Sequence, residues 1–168
     1  MKRISIKILK IIGMLLIILY VAICTIYYFT QENYVFHSTR LATDYKFDLQ
    51  GDFEELNFKT KDSLKINSLL FKSDNSKGLV IYFHGVGSDI SHFVSFAEIY
   101  TNLGYDYFML DYRGFGKSEG SIVNENQLYE DNQIVYDELK KSYAEENYYH
   151  RVFNGNSYGI SISLYQQS

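Results

Sequence analysis

Arg151-Val152-Phe153-Asn154-Gly155-Asn156-Ser157-Tyr158-Gly159 sets a serine between two glycines, each two positions away, directly after a short apolar run. Glycines at those positions let the backbone turn sharply, so that a strand can pass into a helix with the serine hydroxyl raised above a sheet. The stretch therefore reads as a nucleophile elbow. It predicts a parallel strand over 152–156, Ser157 as the nucleophile, and a helix from Tyr158 onward. Gly155 and Gly159 are the small residues of the turn. The Tyr158 amide, at the start of that helix, would face a developing oxyanion with the helix dipole behind it. A serine flanked this way arises by chance in roughly 5% of chains of this length, so the weight rests on the surrounding sequence.

Working back from the elbow, Leu79–Phe83 is a run of five apolar residues, as expected of a strand buried on both faces of a parallel sheet. It leads into His84-Gly85-Val86-Gly87, where the glycines allow close approach to a substrate and the Val86 amide is the candidate second oxyanion donor. His84 and Gly85 read as structural parts of this loop, with His84 packing and hydrogen bonding rather than acting as a base. A helix is expected over Ile90–Leu103, with Phe93, Phe96, Ala97 and Tyr100 on one side and Gly104 as its stop. Tyr105–Leu110 is the next buried strand. Asp111–Gly120 is a glycine-rich loop in which Asp111 and Arg113 read as bracing groups. Gly116-Lys117-Ser118 matches the end of a phosphate-binding loop, but the earlier glycine of that motif would fall at Asp111, so nucleotide binding is not expected. Asn124–Tyr143 reads as a long helix that faces Leu128, Ile134 or Val135, and Leu139 inward. Upstream, Phe53–Thr60 and Leu64–Lys72 flank the turn Lys61-Asp62-Ser63 and form an antiparallel hairpin. A hairpin followed by β-α-β-α-β-α is the order of an α/β fold with a parallel sheet and helices on both faces.

The head of the chain has a different character. Ile11–Phe29 carries no charge over 19 residues, close to the roughly 20 needed to cross a bilayer as a helix. Four of the 16 basic residues, Lys2, Arg3, Lys7 and Lys10, precede this run, whereas all 20 acidic residues follow it. The asymmetry predicts a cytoplasmic N-terminus, a single lipid-spanning segment at 11–29 and an extracytoplasmic body. A cleaved leader would have a shorter apolar region and a small-x-small site, and Val21-Ala22-Ile23-Cys24 fits such a site poorly. The expected organisation is residues 1–30 as basic head and anchor, 31–51 as a connecting segment, and 52–168 as the folded domain. An acidic body argues against nucleic acid as a partner. Cys24 is the single cysteine, and the histidines (His37, His84, His92 and His150) lack metal-type spacing, so no metal is expected. His92 and His150 carry no motif that would make either the base for Ser157.

Together H-G-x-G at 84–87, D-Y-R-G-F-G-K-S-E-G at 111–120 and G-N-S-Y-G at 155–159 resemble the α/β-hydrolase superfamily. Within it they are most similar to the membrane-anchored group of bud-emergence-type serine hydrolases, and the stretch Gln31–His37 resembles that group as well. The resemblance implies hydrolysis of a carboxylic ester or related small acyl substrate, without a cofactor. It implies Ser157 as nucleophile and the backbone amides of Val86 and Tyr158 as the oxyanion hole. Ile160 stands where the group often has a further glycine. In this fold the catalytic acid and then the histidine follow the serine in the chain. The eleven residues after Ser157 include neither an acid nor a histidine. The expectation is therefore an N-terminal part of a serine hydrolase, inactive on its own and with an unprotected last strand. The alternative is a membrane-tethered, non-catalytic binding module or degenerate fragment on the same scaffold.

Overall fold

A computed structural model describes residues 6–36, 38–49, 51–142 and 150–165. Two compact units are present, one containing the first helix and a second beginning at Phe36.

Helix α1 spans Ile6–Val35, and its section Ile6–Gln31, with a mean hydropathy of 2.6, is long and apolar enough to cross a membrane. The two hydroxyls in its second half are satisfied internally. Thr25 Oγ1 donates to the Val21 carbonyl and Thr30 Oγ1 to the Ile26 carbonyl, both at 2.8 Å, so neither is left unpaired in an apolar medium. The helix extends past the apolar run, and residues 31–35, expected in the irregular connecting segment, continue it. Glu32 and the polar residues around it break the apolar pattern but do not interrupt helical hydrogen bonding.

In the second unit, β1 (Phe53–Lys59) and β2 (Lys65–Phe71) pair antiparallel about the predicted turn. β3 (Gly78–Phe83) and β4 (Asp106–Leu110) are buried at every position. β5 covers His150–Gly155, starting two residues before the expected strand. The sheet order is β1-β2-β4-β3-β5. β3 pairs parallel with both β4 and β5, while the hairpin joins the sheet through an antiparallel β2–β4 pairing. The result is the α/β fold expected from the order of elements.

Strand alternation sorts the core into two layers. Ile66, Leu70, Leu79, Ile81, Phe83, Phe108 and Leu110 face Leu128, Val135 and Leu139 of α3 (Glu125–Ser142) and Ile162 of α4 (Gly159–Tyr165). Leu69, Phe71, Val80, Tyr82, Tyr107 and Met109 face the other way, toward Ala97 of α2 (Ser95–Asn102) and Phe47. Each such side chain, fully buried, contributes about 1.5–3 kcal/mol. Of the two candidates on α3, Val135 is the one in the core. Asn124 Oδ1 accepts the Gln127 N–H at 2.9 Å, and the Gln127 side chain reaches back to the Val123 N–H at 3.1 Å, which sets where α3 starts.

The single helix expected over Ile90–Leu103 is instead a 3₁₀ turn, Ile90–His92, followed by α2. The Asp89 carboxylate caps the turn through the Ser91 N–H, and the buried Ile90 is held by Asp111, so the first turn is oriented by outside partners rather than by α2. Phe93 then leaves helical geometry at φ −114° and ψ 1°, and its ring lies 5.1 Å from that of Tyr82. Phe96, expected inward, is 41% exposed. Gly104 ends α2 at φ +83°, a conformation open to glycine, and Lys77 Nζ caps the Leu103 carbonyl.

Candidate active site

The parallel register places Gly155, the last residue of β5, beside Phe83, the last of β3. The loops leaving these strands, 84–87 and 156–158, are therefore neighbours, and the Asn156 N–H is bonded to the Phe83 carbonyl at 3.1 Å. Ser157 is exposed and has φ +54°, a left-handed conformation that costs an L-residue about 1–2 kcal/mol. Such strain is held only where the surroundings over-determine it, and here they do. A Cβ on Gly155 would run into the Gly159 carbonyl, and one on Gly159 into the Phe83 carbonyl. A Cβ on Gly85 would lie 3.2 Å from the Ser157 Cβ and 3.3 Å from the Asn156 carbonyl oxygen. The strand ends thus bring Ser157, Gly85, Gly155 and Gly159 together without room for another side chain.

Among the described residues, neither the Val86 nor the Tyr158 N–H is taken by a protein acceptor. Gly159, Ile160 and Ser161 do donate, to Asn156, Ser157 and Tyr158. These are the two amides expected to form an oxyanion hole. No described residue hydrogen-bonds to Ser157 Oγ. His92 lies on the 3₁₀ turn, 3.5 Å from the Asp89 carboxylate, and the His150 side chain falls outside the described residues.

The Tyr158 ring packs edge-on against Phe36, with centroids 5.5 Å apart. Tyr129 donates to Glu125 at 2.7 Å. Hydrogen bonds from the Tyr129 and Tyr158 hydroxyls hold the Glu125 carboxyl below its ordinary range, and burial and Glu125 push the Tyr158 phenol upward. The start of α3 is thereby fastened to the residue after the serine, a connection without any signal in local sequence.

His84 is fully buried. Its Nε2 accepts the Tyr112 N–H at 3.4 Å, and its Nδ1 lies 2.8 Å from the Gly85 carbonyl, which assigns the proton to Nδ1. Burial pushes its pKa down to about 4, so the ring is neutral at pH 7. Asp111 is also buried; its Oδ1 accepts the Ile90 N–H at 2.9 Å and lies 3.8 Å from His84 Nε2. Burial, aided by the nearby Asp89 charge, pushes the Asp111 carboxyl up to about 7. Asp111 and His84 thus touch opposite ends of the 84–90 loop.

Arg113 grips two carboxylates. It meets Asp131 at 2.7 and 2.9 Å and Asp62 at 2.6 and 2.9 Å. This raises the guanidinium further and holds Asp62 well below the usual carboxylate range. It ties the β1–β2 turn, the loop after β4 and α3 together. Asp62 and Asp131 are partners that only the tertiary fold brings into reach.

A cavity of about 490 Å³ opens beside α2, lined by Asp48, Asp52, Lys72 and Glu98 among others and by no predicted site residue. Among the described residues, no group of three or more His, Cys, Asp or Glu side chains is disposed to hold a metal ion.

Residues 74–166 match the family described as serine aminopeptidase, S33. The chain belongs to this hydrolase family. It is 31% identical to Protein bem46 of Schizosaccharomyces pombe over 42% of this chain and 25% of that protein. It is 33% identical to an uncharacterized membrane protein of Saccharomyces cerevisiae over 41% of this chain and 25% of that one. The Pyrococcus furiosus esterase Pf2001 shares the fold, with a TM-score of 0.61 at 22% identity, over 76% of this chain and 49% of the esterase. The stretches matched thus span 25–38% of the length of the curated relatives. Both the α/β-hydrolase resemblance and the narrower bud-emergence likeness read from the motifs are borne out.

Proposed function

We propose that this chain is the part of a membrane-anchored serine hydrolase that carries the nucleophile and the oxyanion hole. The observation that carries the reading is the left-handed Ser157, exposed between Gly85, Gly155 and Gly159 and near two amides that lack an acceptor among the described residues. Ser157 Oγ forms a bond to the carbonyl carbon of an ester or related acyl substrate and gives its proton to a base. The carbonyl oxygen becomes the anion that the Val86 and Tyr158 amides receive. When the tetrahedral carbon collapses, the bond to the leaving group breaks, and that group departs with a proton returned from the base. Water then adds to the acyl-serine and releases the acid. His84 is not that base in this scheme, because it is enclosed and its ring nitrogens are engaged.

Among the described residues none hydrogen-bonds to Ser157 Oγ as a proton acceptor. With the nucleophile and oxyanion hole alone, turnover is expected to be about 10⁴–10⁶ below that of the full machinery. Acylation is tested with a short-chain p-nitrophenyl ester and the full chain in detergent micelles. A slow release of about one nitrophenolate per chain, lost in Ser157→Ala, supports the proposal. Equal release by the variant contradicts it and favours the non-catalytic module.

The anchor is proposed to be α1, with Lys2, Arg3, Lys7 and Lys10 on the cytoplasmic side and the second unit beyond the membrane. The chain should stay with the membrane through alkaline carbonate extraction. Protease added to sealed, right-side-out cells should reach the second unit.

A further inference from the structure

Residues 36–41 follow α1 directly in sequence, and Phe36, Thr39, Arg40 and Leu41 contact the loops from which the site is built. Phe36 packs on Tyr158 at the elbow. Thr39 Oγ1 donates to the Gly87 carbonyl at 3.2 Å, at the end of the glycine loop. The Thr39 carbonyl accepts the Gly116 N–H at 2.7 Å and the Leu41 N–H returns to the Gly116 carbonyl at 2.9 Å, so that Arg40 forms a parallel bridge with Gly116. The Arg40 guanidinium donates to the Gly120 carbonyl. Leu41 and Phe36 pack against opposite core layers. His37 lies outside the described residues.

These contacts are distributed as a positioning device would need. Gly85 and Gly87 bracket Val86, and Gly87 stands at φ +108° with open space where a Cβ would be. Such a segment is costly to order by itself, whereas an oxyanion amide must be held to within about 0.5 Å. We propose that Phe36, Thr39, Arg40 and Leu41 act as a strap that holds the glycine loop and the elbow at their working separation, with Phe36 and Thr39 as positioning residues for the Tyr158 and Val86 amides. The proposal rests on Ser157 being the nucleophile. It adds that the residues next to the helix end govern how well the oxyanion is received.

The test uses the full chain in micelles, with Phe36→Ala and Thr39→Val as disruptive variants and Phe36→Leu and Thr39→Ser as conservative ones. Hydrogen exchange is read at the Asn156, Ile160 and Gly116 amides, all bonded in the fold, and compared with the amides of β3 and β4. Labelling of Ser157 by a fluorophosphonate is split into its maximal rate and its half-saturating concentration. The disruptive pair should speed exchange at those three amides about tenfold, a local opening eased by about 1.4 kcal/mol, and leave β3 and β4 protected. The maximal labelling rate should fall about tenfold with the half-saturating concentration unchanged, since the transition-state donors and not the binding surface are displaced. The conservative variants should restore both. Unchanged exchange at the three amides, or equal loss of protection throughout β3 and β4, overturns the strap. If the wild-type chain is not labelled at Ser157, the nucleophile reading fails, and the exchange result still decides whether residues 36–41 hold the loops.

Discussion

Gly85 and Ser157 are packed so closely that a methyl group added to Gly85 would lie 3.2 Å from the Ser157 Cβ and 3.8 Å from its Oγ. The backbone of the glycine loop is thus the wall against which the serine is set. Gly85→Ala forces either the loop or the serine to shift by a few tenths of an ångström. The expected result is a fall of about tenfold or more in Ser157 labelling, because misplacement on that scale weakens both attack and oxyanion binding. The thermal unfolding temperature should fall modestly as well, since Gly85 is buried and its neighbours must give way to the added methyl group.

Ser157 itself stores strain. At φ +54°, replacement by glycine should stabilise the chain by about 1 kcal/mol, because glycine adopts the left-handed region without a Cβ clash. Ser157→Val should destabilise it by at least as much, since a β-branched side chain is least suited to that conformation. Urea midpoints of the two variants check this. Equal stability of Ser157→Gly and Ser157→Val would mean that the turn is not strained.

Arg113 supplies the joint between the hairpin turn and α3. Arg113→Ala should cost about 3–5 kcal/mol, because it leaves Asp131 buried without its cation. Replacing both by apolar residues, Arg113→Met with Asp131→Leu, should cost less than the single change. Asp62→Asn should cost least, since the Asp62 side chain is largely exposed. The ranking is read from denaturant midpoints.

The expected pH dependence follows from Asp111 and His84. The Asp111 carboxyl, raised to about 7, gives stability that is full below its unfolded value near 3.8 and is lost as pH rises through about 7. His84, lowered to about 4, gives stability present above its unfolded value near 6.5 and lost as pH falls toward 4. Asp111→Asn should therefore gain stability relative to wild type as pH rises from 5 to 8. The acid-side loss due to His84 should remain. A wild-type-minus-variant difference that is flat from pH 5 to 8 would contradict this account of Asp111.

The sequence carried those parts of the fold that repeat at short range. The apolar runs at 79–83 and 107–110 mark buried parallel strands, and the glycine spacing about Ser157 marks the turn. What it could not show depends on contacts made across the fold. The break after His92 arises because the Ile90 amide is taken by Asp111, 21 residues away. Val135 rather than Ile134 enters the core because the rotation of α3 is set by packing against the sheet. The partners of Arg113, and the lacing of residues 36–41 over the loops, have no spacing signal at all. The edge position of β5 follows from strand order, which periodicity does not encode.

The most direct measurement is fluorophosphonate labelling of the full chain followed by peptide mapping of every modified serine, with Ser157→Ala alongside. The probe forms an oxygen–phosphorus bond as fluoride leaves, so it reports nucleophilicity at a stated atom. The prediction is that Ser157 is modified well ahead of the other serines, at a rate that rises with pH, and that the variant leaves no peptide in its place. Modification of Ser157 no faster than that of the other exposed serines would contradict its role as the nucleophile.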